Sequence, residues 1–142
     1  MDSACRSIIE SLPETPLKIA LLSDIHANRQ ALDACLAHAR NQGAQHIALL
    51  GDLVGYGADP RYVVQQAMAL AEQGATVLRG NHDALAVSPP AQADKSAQTG
   101  ATHGAQWTHQ QLATEELSFL AQLPLTAVVE GVMLVHASAD AP

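Results

Sequence analysis

Aromatic residues make up only 3% of this 142-residue chain, so Leu, Val, Ile and Ala must fill its core. Cysteine is scarcer still. Cys5 and Cys35 are the two present, which excludes a disulfide framework, argues against a thiolate zinc site and fits a reducing cytoplasm. Positive charge is also in short supply: 7 Lys and Arg against 14 Asp and Glu leave a net charge of -7. That balance argues against a nucleic-acid face built on phosphate neutralisation, whereas clustered carboxylates could hold cations. There is no long apolar run at the start, where Asp2, Glu10, Glu14 and two prolines exclude a signal peptide or a membrane span. The expectation is a leader at residues 1–17 and one domain at 18–142.

With 48% hydrophobic and 15% charged residues the composition is globular. Residues 19–22 form a short apolar run without alternation, the pattern of a strand buried on both faces of a parallel sheet. Asn28 is placed to cap a helix whose apolar positions are Leu32, Cys35, Leu36 and Ala39, with Gly43 beyond its end. The unit then repeats. Residues 47–50 read as a second strand, Asp59-Pro60 starts a second helix with the stripe Val63, Ala67 and Leu70, and residues 76–78 read as a third strand. This alternation predicts a βαβαβ parallel sheet with right-handed crossovers. Residues 88–96, with Pro89-Pro90, read as a loop, and helical patterns resume around Trp107 and over 115–123, where Pro124 ends the second. Residues 126–129 and 132–135 read as a hairpin turning at Glu130-Gly131.

Each of the first three strands ends in metal-ligand residue types: Asp24 and His26, then Asp52, then Asn81 and His82. The spacings of 28 and 29 residues match one βαβ step, so all three clusters should reach the carboxyl edge of one sheet, where α/β proteins bind ligands. Oxygen and imidazole donors without thiolates suit borderline divalent metals. A polar group at one strand end is usually a cap or a turn residue, but packing has no use for so many at one edge. His38, His46, His103 and His109 read as ordinary surface residues and Trp107 as core, while Tyr56 could line a cleft or only cover the sheet edge. Gly55 and Gly57 match no phosphate-cradling loop and serve backbone geometry.

The segments Asp24-Ile25-His26, Gly51-Asp52-Leu53-Val54 and Gly80-Asn81-His82-Asp83, in this order and spacing, resemble the first three motifs of the calcineurin-like metallophosphoesterases. Val135-His136-Ala137-Ser138 resembles the fourth, and residues 51–60 resemble a bacterial and archaeal phosphodiesterase-like subgroup. The resemblance implies an α/β fold of the metallophosphoesterase αββα-sandwich type. It also implies a phosphoester hydrolase, phosphodiesterase or phosphatase, working through two divalent ions (Mn, with Fe, Ni or Zn as alternatives) and a metal-bridging hydroxide. Asp24 and His26 would bind one metal, Asp52 would bridge both, and Asn81 and His136 would bind the second. His82 would act beside a small phosphorylated substrate as general acid or stabiliser of phosphoryl charge, oriented by a hydrogen bond that Asp83 accepts. The family's closing Gly-His-x-His motif is not found in the six residues after His136, and Thr102-His103-Gly104 has the wrong place and order. The expectation is therefore a truncated sandwich with each metal one imidazole short. Unpaired strands would favour a homo-oligomer, and the alternative function is a noncatalytic module keeping the fold and partial metal binding.

Overall fold

The computed structural model describes residues 16–90 and 100–139. Within them the order is β1 (Ile19–Leu22), α1 (Arg29–Asn41), β2 (His46–Leu49), α2 (Pro60–Glu72), β3 (Thr76–Val77), α3 (Asn81–Val87), α4 (Gly100–Gln111), α5 (Thr114–Gln122), β4 (Thr126–Val129) and β5 (Val132–Val135). Parallel pairing in the order β1-β2-β3 sets Ile19 opposite His46, Leu22 opposite Leu49, and Leu49 opposite Val77. The expected βαβαβ sheet is present, and its strands end within one residue of one another in this register.

β2 and β3 are covered on both faces, but β1 at the edge of the sheet is not buried on both as expected, since its Leu21 is 55% exposed. Leu22, Ile47, Leu49 and Val77 pack with Leu32 and Leu36 of α1 and Val63, Val64, Ala67 and Leu70 of α2. On the other face Ala48 and Leu78 meet Leu134 of β5, with Ile19, Leu50, Ala127 and Val129 packed around them. Ala48 has no exposed surface, and its small side chain lets the antiparallel β4–β5 hairpin lie close on the parallel sheet. The described residues thus stack helices, parallel sheet and hairpin, a mixed α/β arrangement.

Local signals set the helix ends. The Asn28 side chain accepts from the Ala31 N–H at 2.9 Å, and Gly43, at φ +70°, follows α1 in the left-handed region that ends many helices. At α5 the buried Glu116 carboxylate accepts from the Ala113 N–H (2.7 Å), Gln65 (2.8 Å) and Arg61 (3.2 Å), fixing α5 to α2. The chain after α5 in turn anchors the end of β3, because Arg79 donates its N–H to Pro124 C=O at 2.9 Å and its guanidinium to Ala121 C=O at 3.1 Å.

Several readings of the sequence need correction or limits. Trp107 is 41% exposed and not core, because α4 buries the stripe Thr102, Ala105 and Thr108, with Leu112 just beyond it, and position 107 lies off that stripe. Cys35 is exposed because α1 buries only Leu32, Leu36 and Ala39. Residues 81–87 form helix α3, which the apolar pattern does not announce over so short a span. His109 and His46 are half-buried, bonding Ala86 C=O at 2.8 Å and the Thr76 hydroxyl at 2.9 Å. Most of the leader and residues 91–96 of the expected loop lie outside the described residues.

Candidate metal centre

Beyond the strands the backbone stays zipped. The Asp24, His26 and Ala27 N–H groups donate to the carbonyls of Gly51 (3.2 Å), Asp52 (2.9 Å) and Leu53 (2.8 Å), so the loops after β1 and β2 travel together. The third loop is pressed against the second: a Cβ on Gly51 would stand 2.6 Å from the Gly80 nitrogen, and one on Gly80 would collide with the Asp52 backbone and carboxylate. Only glycine fits at either place. The two glycines that precede Asp52 and Asn81 were the available sign, in the sequence, that these loops must touch.

The zipped loops are strained. Asp24 (φ +56°), His26 (+48°), Ala27 (+55°), Asp52 (+52°) and Tyr56 (+60°) are five of the six non-glycine residues in the left-handed region among the described residues. Such backbone costs about 1 kcal/mol or more per residue and gathers where side chains must be aimed rather than packed.

The aim is convergent. Oxygens of Asp24 and Asp52 and a ring nitrogen of His136 lie within 4.8 Å of one another. His26 Nε2 stands 3.6 Å from Asp24 Oδ1 and 3.9 Å from Asp52 Oδ2, and His136 Nε2 lies 3.5 Å from Asp52 Oδ1 and 3.2 Å from Asn81 Oδ1. Asp52 is only 3% exposed at the middle of the group. Both imidazoles are held from behind, His26 Nδ1 by Val54 C=O at 3.1 Å and His136 Nδ1 by Leu50 C=O at 2.9 Å. A carbonyl oxygen can only accept, so each ring donates from Nδ1, and in its neutral form turns the Nε2 lone pair toward the carboxylates. Lone pairs of two imidazoles, two carboxylates and an amide oxygen facing one space repel unless a cation lies among them, so the donor set fits divalent metal.

His82 completes one side. Its N–H donates to Asp52 Oδ1 at 2.9 Å, and no hydrogen bond to its ring is seen among the described residues. The rings of His26, Tyr56 and His82 pack edge-on or tilted, with centroids 4.7 to 5.1 Å apart.

Asp83 does not touch the His82 ring as expected. It is fully buried and accepts from the backbone N–H groups of Leu53 (2.9 Å), Val54 (3.1 Å) and Gly80 (2.8 Å), stapling the second loop to the third. Because His82 and Asp83 are adjacent in the first turn of α3, their side chains diverge by about 100° and cannot share a bond. Burial pushes the Asp83 carboxyl up to about 6 and the neighbouring Asp52 carboxylate adds to this, while the three N–H donors pull it down. Its influence on His82 therefore passes through the chain.

Residues 17–139 match the calcineurin-like phosphoesterase family. A protein of Methanocaldococcus jannaschii described as uncharacterized, MJ0912, is 38% identical over 107 residues, 75% of this chain and 42% of that protein. The crystal structure of a metallophosphoesterase from Sphaerobacter thermophilus superposes with a TM-score of 0.64 at 32% identity, covering 81% of this chain and 44% of that one. Another, provisionally named a diadenosine tetraphosphatase, gives 0.62 at 28% identity over 89% of this chain and 53% of its own. The chain thus spans about half the length of these relatives. With its motifs carried on the strand ends of the same fold, it belongs to the calcineurin-like phosphoesterase family.

Proposed function

We propose that this chain is a metal-dependent phosphoester hydrolase of the phosphodiesterase or phosphatase kind. In this reading Asp24, His26, Asp52, Asn81 and His136 hold two divalent ions, manganese by preference, and the substrate is a small phosphorylated molecule. One observation carries the reading: two imidazole Nε2 atoms and two carboxylates are aimed by strained, hydrogen-bonded loops into one space, a donor set suited to divalent cations. Bound there, divalent ions would polarise a phosphoryl group and lower the pKa of water.

The chain's own groups would do the rest. Asp52, fixed by the His82 N–H, keeps its second oxygen turned toward His26. His82, whose ring has no hydrogen-bond partner among the described residues, is placed to give a proton to the leaving oxygen or to stabilise phosphoryl charge. Asp83 keeps the His82 loop in place by stapling backbone to backbone. The provisional name of the tetraphosphatase relative supports a nucleotide among the substrates. No helix among the described residues is long and apolar enough to cross a membrane, and with the scarcity of cysteine this supports a cytoplasmic location.

The test is manganese-dependent hydrolysis of bis-p-nitrophenyl phosphate by the purified chain, with Asp52→Asn and His82→Ala in parallel. Hydrolysis lost in both variants is expected. A folded wild type that binds manganese and hydrolyses nothing would favour the noncatalytic module.

A further inference from the structure

Tyr56 is out of keeping with its surroundings. It is 68% exposed in a chain with few aromatics, and it holds φ +60°, a conformation in which a bulky side chain is an outlier. Its ring touches both His26 and His82. The flanking glycines permit this closeness: a Cβ on Gly55 would come 2.9 Å from His82 Nδ1, and one on Gly57 would strike the His26 carbonyl. Backbone strain is thus spent on keeping an aromatic ring in water at the rim of the metal centre, where packing gains little.

The ring borders a cleft of about 540 Å³ that opens from Asp24 and His26 and runs between the starts of α1 and α2, past Gln30 and Asp59. This is within the size range of small-ligand sites. Asp59 heads α2 without making the side-chain cap bond its position allows, so its carboxylate is left to accept from another donor. The cleft has no Lys or Arg among its lining residues and carries acidic groups, which disfavours a second phosphate. An uncharged group with a flat aromatic part and hydroxyl or amino donors suits it.

We propose that Tyr56 is a specificity-determining residue. It would form the wall of a leaving-group subsite where the base of a nucleoside phosphoester stacks, with its ribose toward Asp59 and its phosphate at the metal centre. This rests on the phosphoester reading above and narrows it to substrates bearing a nucleoside.

The test uses equilibrium binding, so it does not depend on turnover. Calorimetric titration of the manganese-loaded full chain compares the non-hydrolysable phosphonate analogues of AMP and ribose 5-phosphate, which differ by the base alone. Wild type should prefer the AMP analogue by about tenfold, as expected for one stacked base. Tyr56→Phe should keep that ratio. Tyr56→Ala, and Tyr56→Gly, which adopts the left-handed backbone without strain, should bring it close to one. A ratio unchanged in Tyr56→Ala and Tyr56→Gly overturns the proposal and leaves Tyr56 as a prop for the two histidine rings. If wild type binds both ligands equally, the subsite is overturned and the phosphoester reading stands. If it binds neither, the subsite is overturned, and hydrolysis of bis-p-nitrophenyl phosphate decides the phosphoester reading separately.

Discussion

Removing the Asp83 side chain puts a number on what holds the site together. Its two oxygens accept three backbone N–H groups, those of Leu53, Val54 and Gly80, all in buried residues. Asp83→Ala leaves three buried donors without partners, each worth about 2 kcal/mol. Against this stands the burial of a charge: a carboxyl raised from 3.8 to about 6 destabilises the folded protein near pH 7 by about 3 kcal/mol relative to its protonated form. The net loss expected for Asp83→Ala at pH 7 is about 3 kcal/mol. Asp83→Asn keeps one oxygen for Leu53 and Val54, orphans the Gly80 N–H and removes the charge, so it should fall within about 1 kcal/mol of wild type. The pH dependence has a definite sign. With the folded pKa above the unfolded one, this group's stabilisation is complete below 3.8 and is lost as pH rises through about 6. Between pH 7 and pH 5 wild type should therefore gain about 1 kcal/mol relative to Asp83→Asn. Urea unfolding followed by circular dichroism, in chelator to keep the protein metal-free, reads all three values. An Asp83→Ala variant within 1 kcal/mol of wild type, or an Asp83→Asn variant as weak as Asp83→Ala, would refute the three-way staple.

Other perturbations separate the parts. Gly51→Ala places a methyl 2.6 Å from the Gly80 nitrogen at φ +103° and should cost about 3 kcal/mol, visible as a lowered urea midpoint with metal binding weakened in step. Asn28→Ala removes the cap of α1 and should cost about 1 kcal/mol by the same assay while leaving metal affinity in place. His136→Ala, at a mostly buried side chain that bonds Leu50 C=O, should cost about 1 kcal/mol in the metal-free protein and lower manganese affinity by at least about tenfold, measured by calorimetry.

The fold and the gathering of polar groups were legible for one shared reason: both follow from periodicity along the chain. Apolar runs at residues 19–22 and 47–50, each followed by a helical stripe, fix a parallel sheet, and a step of 28 or 29 residues returns Asp24, Asp52 and Asn81 to one edge of it. What the pattern could not carry was direction across the chain. Asp83 and His82 are neighbours in sequence, so a bond between them seemed natural, yet the turn of α3 sends the carboxylate into the protein and the ring out. Trp107 and Cys35 looked apolar enough to be buried, but which stripe of a helix faces inward depends on what it packs against. Tyr56 was undecided because exposure at a left-handed residue between two glycines depends on the neighbouring loop, which strand and helix periods do not describe.

The proposed centre is tested most directly by manganese binding to the purified full chain, measured calorimetrically and by metal analysis after dialysis, beside Asp52→Asn and His136→Ala. Saturable binding in wild type that is lost in Asp52→Asn and weakened in His136→Ala is the expected result, since Asp52 lies at the middle of the donor set. A folded wild type that takes up no divalent metal, or one whose uptake is indifferent to both substitutions, would contradict a metal centre at the end of these strands.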